Sequence, residues 1–188
     1  MFVWNEILCL GDSITYGARD KYGRSYPAEL GKILSEKTKE FYFCHNCGIN
    51  AETSSDVLKR VWNTVKSHSN SKIMLLMIGT NDTQVNIPTE IYEDNLRQII
   101  SVARVFGMHV IVGYLPQLGF TPLYLKNNHL IDEYNSSILK LSKTLNFDTC
   151  DFSGTEKFYV DNVHYTNEGY KEVAKIWAEK ILSLQKIN

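Results

Sequence analysis

The segment ILCLGDSIT, residues 7–15, joins a short apolar run to a glycine and a small polar turn. Four consecutive apolar residues bounded by glycine are typical of a strand that is buried on both faces of a sheet. Four further segments rich in β-forming residues follow along the chain: Phe41 to Cys44, Ile73 to Ile78, His109 to Tyr114 and Phe147 to Phe152. The segment 7–15 therefore predicts the first of five buried strands, followed by a turn into a helix.

Stretches with helical spacing separate these strands. Apolar residues recur every three or four positions from Tyr170 to Leu184, from Tyr92 to Ala103 and from Leu130 to Leu145, and shorter stripes surround Leu30 and Leu58. Because strand and helix alternate, we expect a parallel sheet with right-handed crossovers. The predicted fold is an α/β protein, a three-layer α/β/α sandwich around a five-stranded parallel sheet.

The length and composition favour one globular domain over residues 1–188. Hydrophobic residues make up 44% and charged residues 22%, values far from those of disordered chains. The formal net charge of −1 argues against a nucleic acid or an anionic membrane as partner, so we expect a small-molecule ligand. Met1 leads into an apolar stretch without the features of a signal peptide, and the four cysteines lack disulfide-framework spacing, so we expect a cytoplasmic protein.

Residues with a polar side chain or an accessible backbone N–H follow four of the five predicted strands. Ser13 comes directly after the first strand, Gly48 lies just beyond the second, Asn81 follows the third, and Asp161 and His164 lie between the fifth strand and the last helix. The carboxyl ends of parallel strands meet at one edge of the sheet, where ligands bind. We therefore expect these five residues to lie together although the sequence scatters them.

These residue types suit nucleophilic catalysis. A serine hydroxyl is a weak nucleophile that needs a base within hydrogen-bond reach, and His164 is the candidate base for Ser13. Asp161 precedes His164 by three positions, so one turn of backbone can hold its carboxylate against the imidazole. The backbone N–H groups of Ser13 and Gly48 and the side-chain amide of Asn81 are candidate donors to a developing oxyanion.

Each residue also has a structural interpretation. Ser13 alone fits a helix N-cap, and Asn81 with Asp82 fits an Asx turn. We expect Asp82 to build such a turn and to support the loop that holds Asn81, and we expect Asp12 to be structural as well. The ordered set of residues favours the catalytic interpretation for Ser13, because chance rarely places such groups after four of five strands.

The four blocks GDS, Gly48, GTND and DNVH resemble those of the SGNH hydrolases, also called the GDSL esterase and lipase family. The resemblance spans residues 11 to 164 and implies a flavodoxin-like sandwich, a Ser13, His164 and Asp161 triad, an oxyanion hole from Gly48 and Asn81, and no metal or cofactor. The sequence departs from the family pattern at Ile14, where leucine is nominal, and at Ala51 and Glu52, where Gly and Asp are common. These departures concern substrate preference.

Two segments are candidates for substrate contact. Residues 16–26 follow the nucleophile and contain Arg19 and Arg24, which could bind an anionic group, although exposed loops are usually charged because they are solvated. Residues 115–126 follow the fourth strand and contain Phe120 and Tyr124, which could wall an acyl or sugar pocket or pack as satellite core.

The sequence thus predicts a carboxylic ester hydrolase that works through an acyl-enzyme on a small acyl group, with an O-acetyl on carbohydrate as the leading substrate class. A lysophospholipase, a thioesterase or an acyltransferase would use the same triad. A different class remains open, in which GDSIT cradles a phosphate at a helix N-terminus and the protein binds a nucleotide without catalysis. The oligomeric state does not follow from the sequence.

Overall fold

The computed structural model of the chain describes residues 4–185, with Trp4 and Gln185 described by their backbone. Five strands form one sheet in the order β2-β1-β3-β4-β5, and every neighbouring pair is parallel. The strands are β1 (Trp4–Gly11), β2 (Phe41–Gly48), β3 (Ile73–Met77), β4 (His109–Gly113) and β5 (Asp148–Cys150). The predicted five-stranded parallel sheet is confirmed.

Helices cover both faces of the sheet. On one face α2 packs against α8, and on the other α3 packs against α5, which in turn packs against α7. The helices are α1 (Ser13–Tyr16), α2 (Tyr26–Thr38), α3 (Ser54–Ser67), α4 (Thr80–Gln84), α5 (Thr89–Val105), α6 (Pro122–Leu125), α7 (Asn128–Leu145) and α8 (Asn167–Gln185), with a 3₁₀ helix over Thr155–Phe158. The three-layer α/β/α sandwich is therefore confirmed.

The buried core follows the predicted apolar stripes. In α5 the side chains of Tyr92, Leu96, Ile99, Ile100 and Ala103 are all fully buried. In α8 the same holds for Tyr170, Val173, Ala174, Trp177 and Ile181. Burying this much apolar surface on both faces of the sheet is the main force that holds the three layers together.

The strand order reverses direction between β1 and β3, which are neighbours in the sheet but are not consecutive in the chain. A crevice opens at the carboxyl ends of parallel strands at such a switch point, because the connections leave to opposite faces. The turns that follow β1 and β3 carry Ser13 and Asn81. The fold thus places two of the predicted site residues on either side of the crevice.

Candidate active site

Three side chains form a continuous hydrogen-bond chain at this edge of the sheet. His164 Nε2 lies 2.9 Å from Ser13 Oγ, and His164 Nδ1 lies 2.8 Å from Asp161 Oδ2. A carboxylate can only accept, so the ring proton lies on Nδ1 and leaves Nε2 free to accept from the Ser13 hydroxyl. The structure thus brings together residues 151 positions apart in the sequence, in the arrangement of a Ser-His-Asp triad.

The loop between the 3₁₀ helix and α8 fixes the carboxylate of Asp161. Its Oδ1 accepts the backbone N–H groups of Val163 and His164, each at 2.8 Å. Partial burial raises the pKa of Asp161, but the hydrogen bonds from His164 and Val163 outweigh this effect and hold the pKa below its ordinary value. Asp161 is therefore charged at neutral pH and can stabilise an imidazolium on His164.

The turn from β1 into α1 presents Ser13. Asp12 caps this four-residue helix, since its Oδ1 accepts the N–H of Ile14 at 2.9 Å, and Ser13 is the first helical residue. The alternative of Ser13 as the N-cap is therefore wrong, and the structural role predicted for Asp12 is confirmed. The Asp12 side chain already occupies the N–H of Ile14, and one turn of helix offers little dipole, so the geometry does not favour phosphate binding here.

A cavity of about 700 Å³ opens above the Ser13 hydroxyl. Small and polar residues dominate its wall. The lining residues are Ser13, Tyr16, Gly17, Ala18, Arg19, Asp20, Gly23, Asn50, Ala51, Asn81 and His164. The nucleophile candidate and its base thus face a space large enough for a small organic substrate.

The prediction for Gly48 is wrong. Its backbone N–H donates to Asn46 Oδ1 at 3.0 Å, and Gly48 is not among the residues that line the cavity. A Cβ at this position would lie 2.2 Å from the backbone N of Tyr16 and 2.6 Å from the carbonyl of Asp12. Glycine is therefore required at position 48 because β2 and α1 touch there, and substrate approach is not the reason.

Ala51 lies at the cavity, where Gly48 was predicted to lie. It lines the cavity beside Ser13 and Asn81, and its φ of 64° lies in the left-handed region that favours glycine. The sequence did contain a signal for this position, since Ala51 stands where glycine is common in the resembled family. The pattern nevertheless favours Gly48, three residues earlier, because that position holds a glycine.

Asn81 lies at the cavity as predicted, although it belongs to α4 and not to a loop. Its Nδ2 donates to the backbone carbonyl of Glu52 at 2.8 Å. Asp82 does not build an Asx turn. Its buried carboxylate instead accepts the backbone N–H of Ser54 at 2.9 Å and the Ser54 hydroxyl, and burial raises its pKa. Asp82 thus supports Asn81 by tying α4 to the start of α3.

Of the two predicted basic contacts, Arg19 lines the cavity and Arg24 does not. The Arg19 Nε donates to Asp161 Oδ2 at 3.3 Å, so this guanidinium is paired with the triad carboxylate. The Arg24 guanidinium instead lies over the ring of Tyr22, 5.3 Å from its centroid. Arg24 therefore lies outside the cavity lining, and its contact with a substrate stays a prediction.

Phe120 and Tyr124 also lie outside the cavity lining. The backbone N–H of Gly119 donates to the Asn162 carbonyl at 2.8 Å, and that of Thr121 donates to Asn162 Oδ1 at 3.0 Å, so their segment is held against the loop of Asp161 and His164. Phe120 is 69% exposed, and Tyr124 packs half-buried against the core. The aromatic segment thus supports the triad loop from outside and does not wall the cavity.

Within residues 4–185, no group of three or more His, Cys, Asp and Glu side chains is placed to hold a metal ion. None of the helices in the described part of the chain is long and apolar enough to cross a membrane.

Many solved structures share this fold, among them the following three. The lipase/acylhydrolase from Enterococcus faecalis superposes with a TM-score of 0.82 at 21% identity, over 94% of this chain and 95% of its own. Est24, a carbohydrate acetylesterase from Sinorhizobium meliloti, superposes with a TM-score of 0.80 at 17% identity, over 96% of this chain and 99% of its own. A catalytic mutant of Axe2, an acetylxylan esterase from Geobacillus stearothermophilus, gives 0.81 at 18% identity, over 96% of each chain.

At these identities the three structures establish the fold alone. No curated protein sequence matches this chain. The sequence model of the GDSL-like Lipase/Acylhydrolase family matches residues 9–172, a segment that runs from β1 into α8 and contains Ser13, Asn81, Asp161 and His164. Since this match covers most of the 188 residues, the chain belongs to the GDSL-like lipase/acylhydrolase family.

Proposed function

We propose that this protein is a serine esterase that removes a small acyl group, such as acetyl, from a hydroxylated substrate such as a carbohydrate. One observation carries the proposal. The hydrogen-bond chain from Ser13 through His164 to Asp161 ends at a cavity whose wall is mainly small and polar. A nucleophile, a base and an orienting carboxylate are the groups that ester hydrolysis requires.

In the first half of the reaction, Ser13 Oγ attacks the ester carbonyl carbon while His164 Nε2 accepts the hydroxyl proton. The charge of Asp161 stabilises the imidazolium that forms. As the tetrahedral intermediate collapses, the bond from the carbonyl carbon to the alcohol oxygen breaks, and His164 returns the proton to the departing alcohol. The acyl group then remains on Ser13 as an ester.

In the second half a water molecule takes the place of the alcohol. His164 accepts a proton from the water as its oxygen attacks the acyl carbon, and the bond to Ser13 Oγ breaks. The proton passes to Ser13 Oγ, which restores the hydroxyl and releases the carboxylic acid. An alcohol that replaced water at this step would make the enzyme an acyltransferase.

The oxyanion requires hydrogen-bond donors in both halves of the reaction. We propose the backbone N–H groups of Ser13 and Ala51 and the side-chain amide of Asn81. The Asn81 Nδ2 carries two hydrogens, and the bond to Glu52 O uses one of them. The second hydrogen is the one available to an oxyanion.

The residues of the cavity wall favour a substrate with a short acyl group and a polar alcohol. Gly17, Ala18, Gly23 and Ala51 leave room without providing the apolar surface that a long acyl chain would bury. Tyr16 lies at the cavity with 55% of its surface exposed, so its ring can contact a sugar face. The carbohydrate acetylesterase and the acetylxylan esterase that share the fold agree with this choice of substrate.

The experiment compares turnover of acetylated sugars with turnover of nitrophenyl acetate, butyrate, octanoate and palmitate. We expect the acetyl esters to give the highest kcat/KM, and Ser13→Ala to abolish turnover because the Ser13 hydroxyl is the one hydrogen-bonded to Nε2 of His164 among the described residues. The matched control is Ser153→Ala, whose hydroxyl bonds to the exposed Asp151 outside the site.

Two results would contradict the proposal. Near-normal hydrolysis by Ser13→Ala would remove the nucleophile assignment. A preference for octanoate or palmitate would leave the esterase assignment standing but would replace the small-acyl substrate with a lipid.

A further inference from the structure

The guanidinium of Arg60 lies behind the cavity wall. Arg60 on α3 has a side chain that is 20% exposed, and the carboxylate of its partner Glu52 is 14% exposed. Arg60 Nε donates to both Glu52 oxygens, each at 2.8 Å. Its Nη2 also donates to the backbone carbonyl of Cys47 at 2.9 Å and reaches that of Gly11 at 3.3 Å. The Arg60 side chain therefore binds one carboxylate and two backbone carbonyls that belong to separate parts of the chain.

Each partner of Arg60 adjoins the site. Gly11 is the last residue of β1 and precedes Ser13 by two positions. Cys47 lies at the end of β2, and Glu52 directly follows Ala51. The Gly11 carbonyl also accepts the N–H of Ile49 at 3.1 Å. Arg60 thus links the ends of two strands to the turn of residues 49–52.

Glu52 extends this link to α4, the short helix that follows β3. Its carboxylate faces Arg60, whereas its backbone carbonyl accepts the Asn81 amide at 2.8 Å. Ala51, between these groups and the cavity, has a φ of 64°, a conformation that a non-glycine residue keeps only when its surroundings hold it. The position of Ala51 and of the Asn81 amide therefore depends on where Glu52 is held.

We propose that Arg60 is a positioning residue that holds the turn of residues 49–52, so that the Ala51 N–H and the Asn81 amide are directed at the oxyanion. This inference rests on the proposed function. The guanidinium suits the role because its planar fork binds a carboxylate through two donors and still reaches backbone carbonyls, which a lysine ammonium cannot do from one place. Arg60 is not among the residues that line the cavity.

The first test is steady-state kinetics of Arg60→Lys on an acetyl ester. We expect kcat to fall about 10 to 100 fold, because displaced donors weaken transition-state binding. KM should stay within about twofold, because the substrate pocket itself is intact. The matched control is Arg97→Lys on α5, whose guanidinium pairs with Glu93 at 3.2 Å away from the cavity, and which should keep wild-type kcat.

The second test is a double-variant cycle with Asn81→Ala. That variant alone should lower kcat roughly 100 to 1,000 fold, as expected for loss of an oxyanion donor. If Arg60 acts through Glu52 on this donor, the two losses are not independent. The fold decreases in kcat of the two single variants, multiplied together, should then exceed the fold decrease in kcat of the double variant by about fivefold or more. Fully multiplicative losses would overturn the proposal.

The third test does not depend on turnover. In ¹H–¹⁵N spectra, the backbone signal of Ala51 and the side-chain amide signals of Asn81 should shift in Arg60→Lys and stay in place in Arg97→Lys. Unmoved signals in Arg60→Lys would overturn the positioning role. A wild-type chain that hydrolyses no ester would instead overturn the proposed function, so the two failures can be told apart.

If Arg60→Lys does not fold by circular dichroism, Glu52→Gln provides the same tests. The glutamine keeps the size of the side chain and the backbone carbonyl to Asn81 but removes the charge that Arg60 binds. We expect the same signal shifts and a smaller loss of kcat with KM unchanged. Wild-type kcat together with unmoved signals in Glu52→Gln would contradict the inference.

Discussion

Asp12 lies directly beside Ser13, and 1% of its surface is exposed. Burial raises its pKa from 3.8 to about 7, the N–H of Ile14 opposes this rise, and the nearby acids Asp82 and Glu52 add to it. The folded protein therefore keeps a proton on Asp12 at pH values where the unfolded chain has released it. The stability that results is present at acidic pH and is lost as the pH rises from about 4 to about 7.

The variant Asp12→Asn tests whether Asp12 causes this loss of stability with rising pH. The asparagine oxygen can still accept the N–H of Ile14, but the side chain no longer ionises. We expect the wild-type free energy of unfolding to fall relative to that of the variant as the pH rises, until the variant is more stable by about 1 to 4 kcal/mol at pH 8. Urea titrations followed by circular dichroism measure this difference. Parallel stability curves from pH 4 to pH 8 would show that Asp12 is not buried as described.

At the scale of elements, the contact between the end of β2 and α1 controls where the nucleophile lies. The backbones of Gly48, Tyr16 and Asp12 approach so closely that no side chain fits between them. Gly48→Ala should force β2 and α1 apart and destabilise the protein by about 1 to 3 kcal/mol. It should also lower kcat, because α1 begins with Ser13.

The control for this variant is Gly107→Ala, in the turn before β4. A methyl group there meets nothing within 4 Å, although the φ of 73° adds strain of about 1 kcal/mol. We expect Gly107→Ala to keep wild-type kcat. A Gly48→Ala variant with wild-type stability in guanidinium titrations would show that the two elements are not in contact.

At the scale of the whole molecule, the candidate site joins the beginning of the fold to its end. The Ser13 hydroxyl meets His164 just before α8, and the Tyr170 hydroxyl on α8 donates to the Ala18 carbonyl at 2.7 Å. One cluster of buried residues extends from Ile7 in β1 to Ile181 in α8. Because all layers share this core, the first and last elements should not unfold separately.

We therefore expect one cooperative unfolding transition in denaturant. Far-ultraviolet circular dichroism should give the same midpoint as tryptophan fluorescence, to which the fully buried Trp177 on α8 contributes. Two separated midpoints would indicate two folding units and would contradict the prediction of one domain over residues 1–188.

The sequence predicted the architecture well where apolar residues dominate and less well where they do not. The prediction ended β2 at Cys44, but the strand continues to Gly48 and pairs with β1 along its whole length. Its last residues include His45 and Asn46, and an edge strand tolerates such residues because one side of it is open. Hydrophobic patterning cannot detect a polar extension of this kind.

The sequence by itself determined the layer order and the sheet, and it singled out Ser13, His164 and Asp161, because burial patterns and residue chemistry are properties of local stretches. Only the tertiary structure decided that Ala51 and not Gly48 faces the cavity, that Arg24, Phe120 and Tyr124 do not, and that Arg60 joins the ends of β1 and β2 to the turn of residues 49–52. The physical reason is that direction and distance at a sheet edge depend on backbone conformation and on packing between elements far apart in the chain. Residue spacing does not encode these quantities.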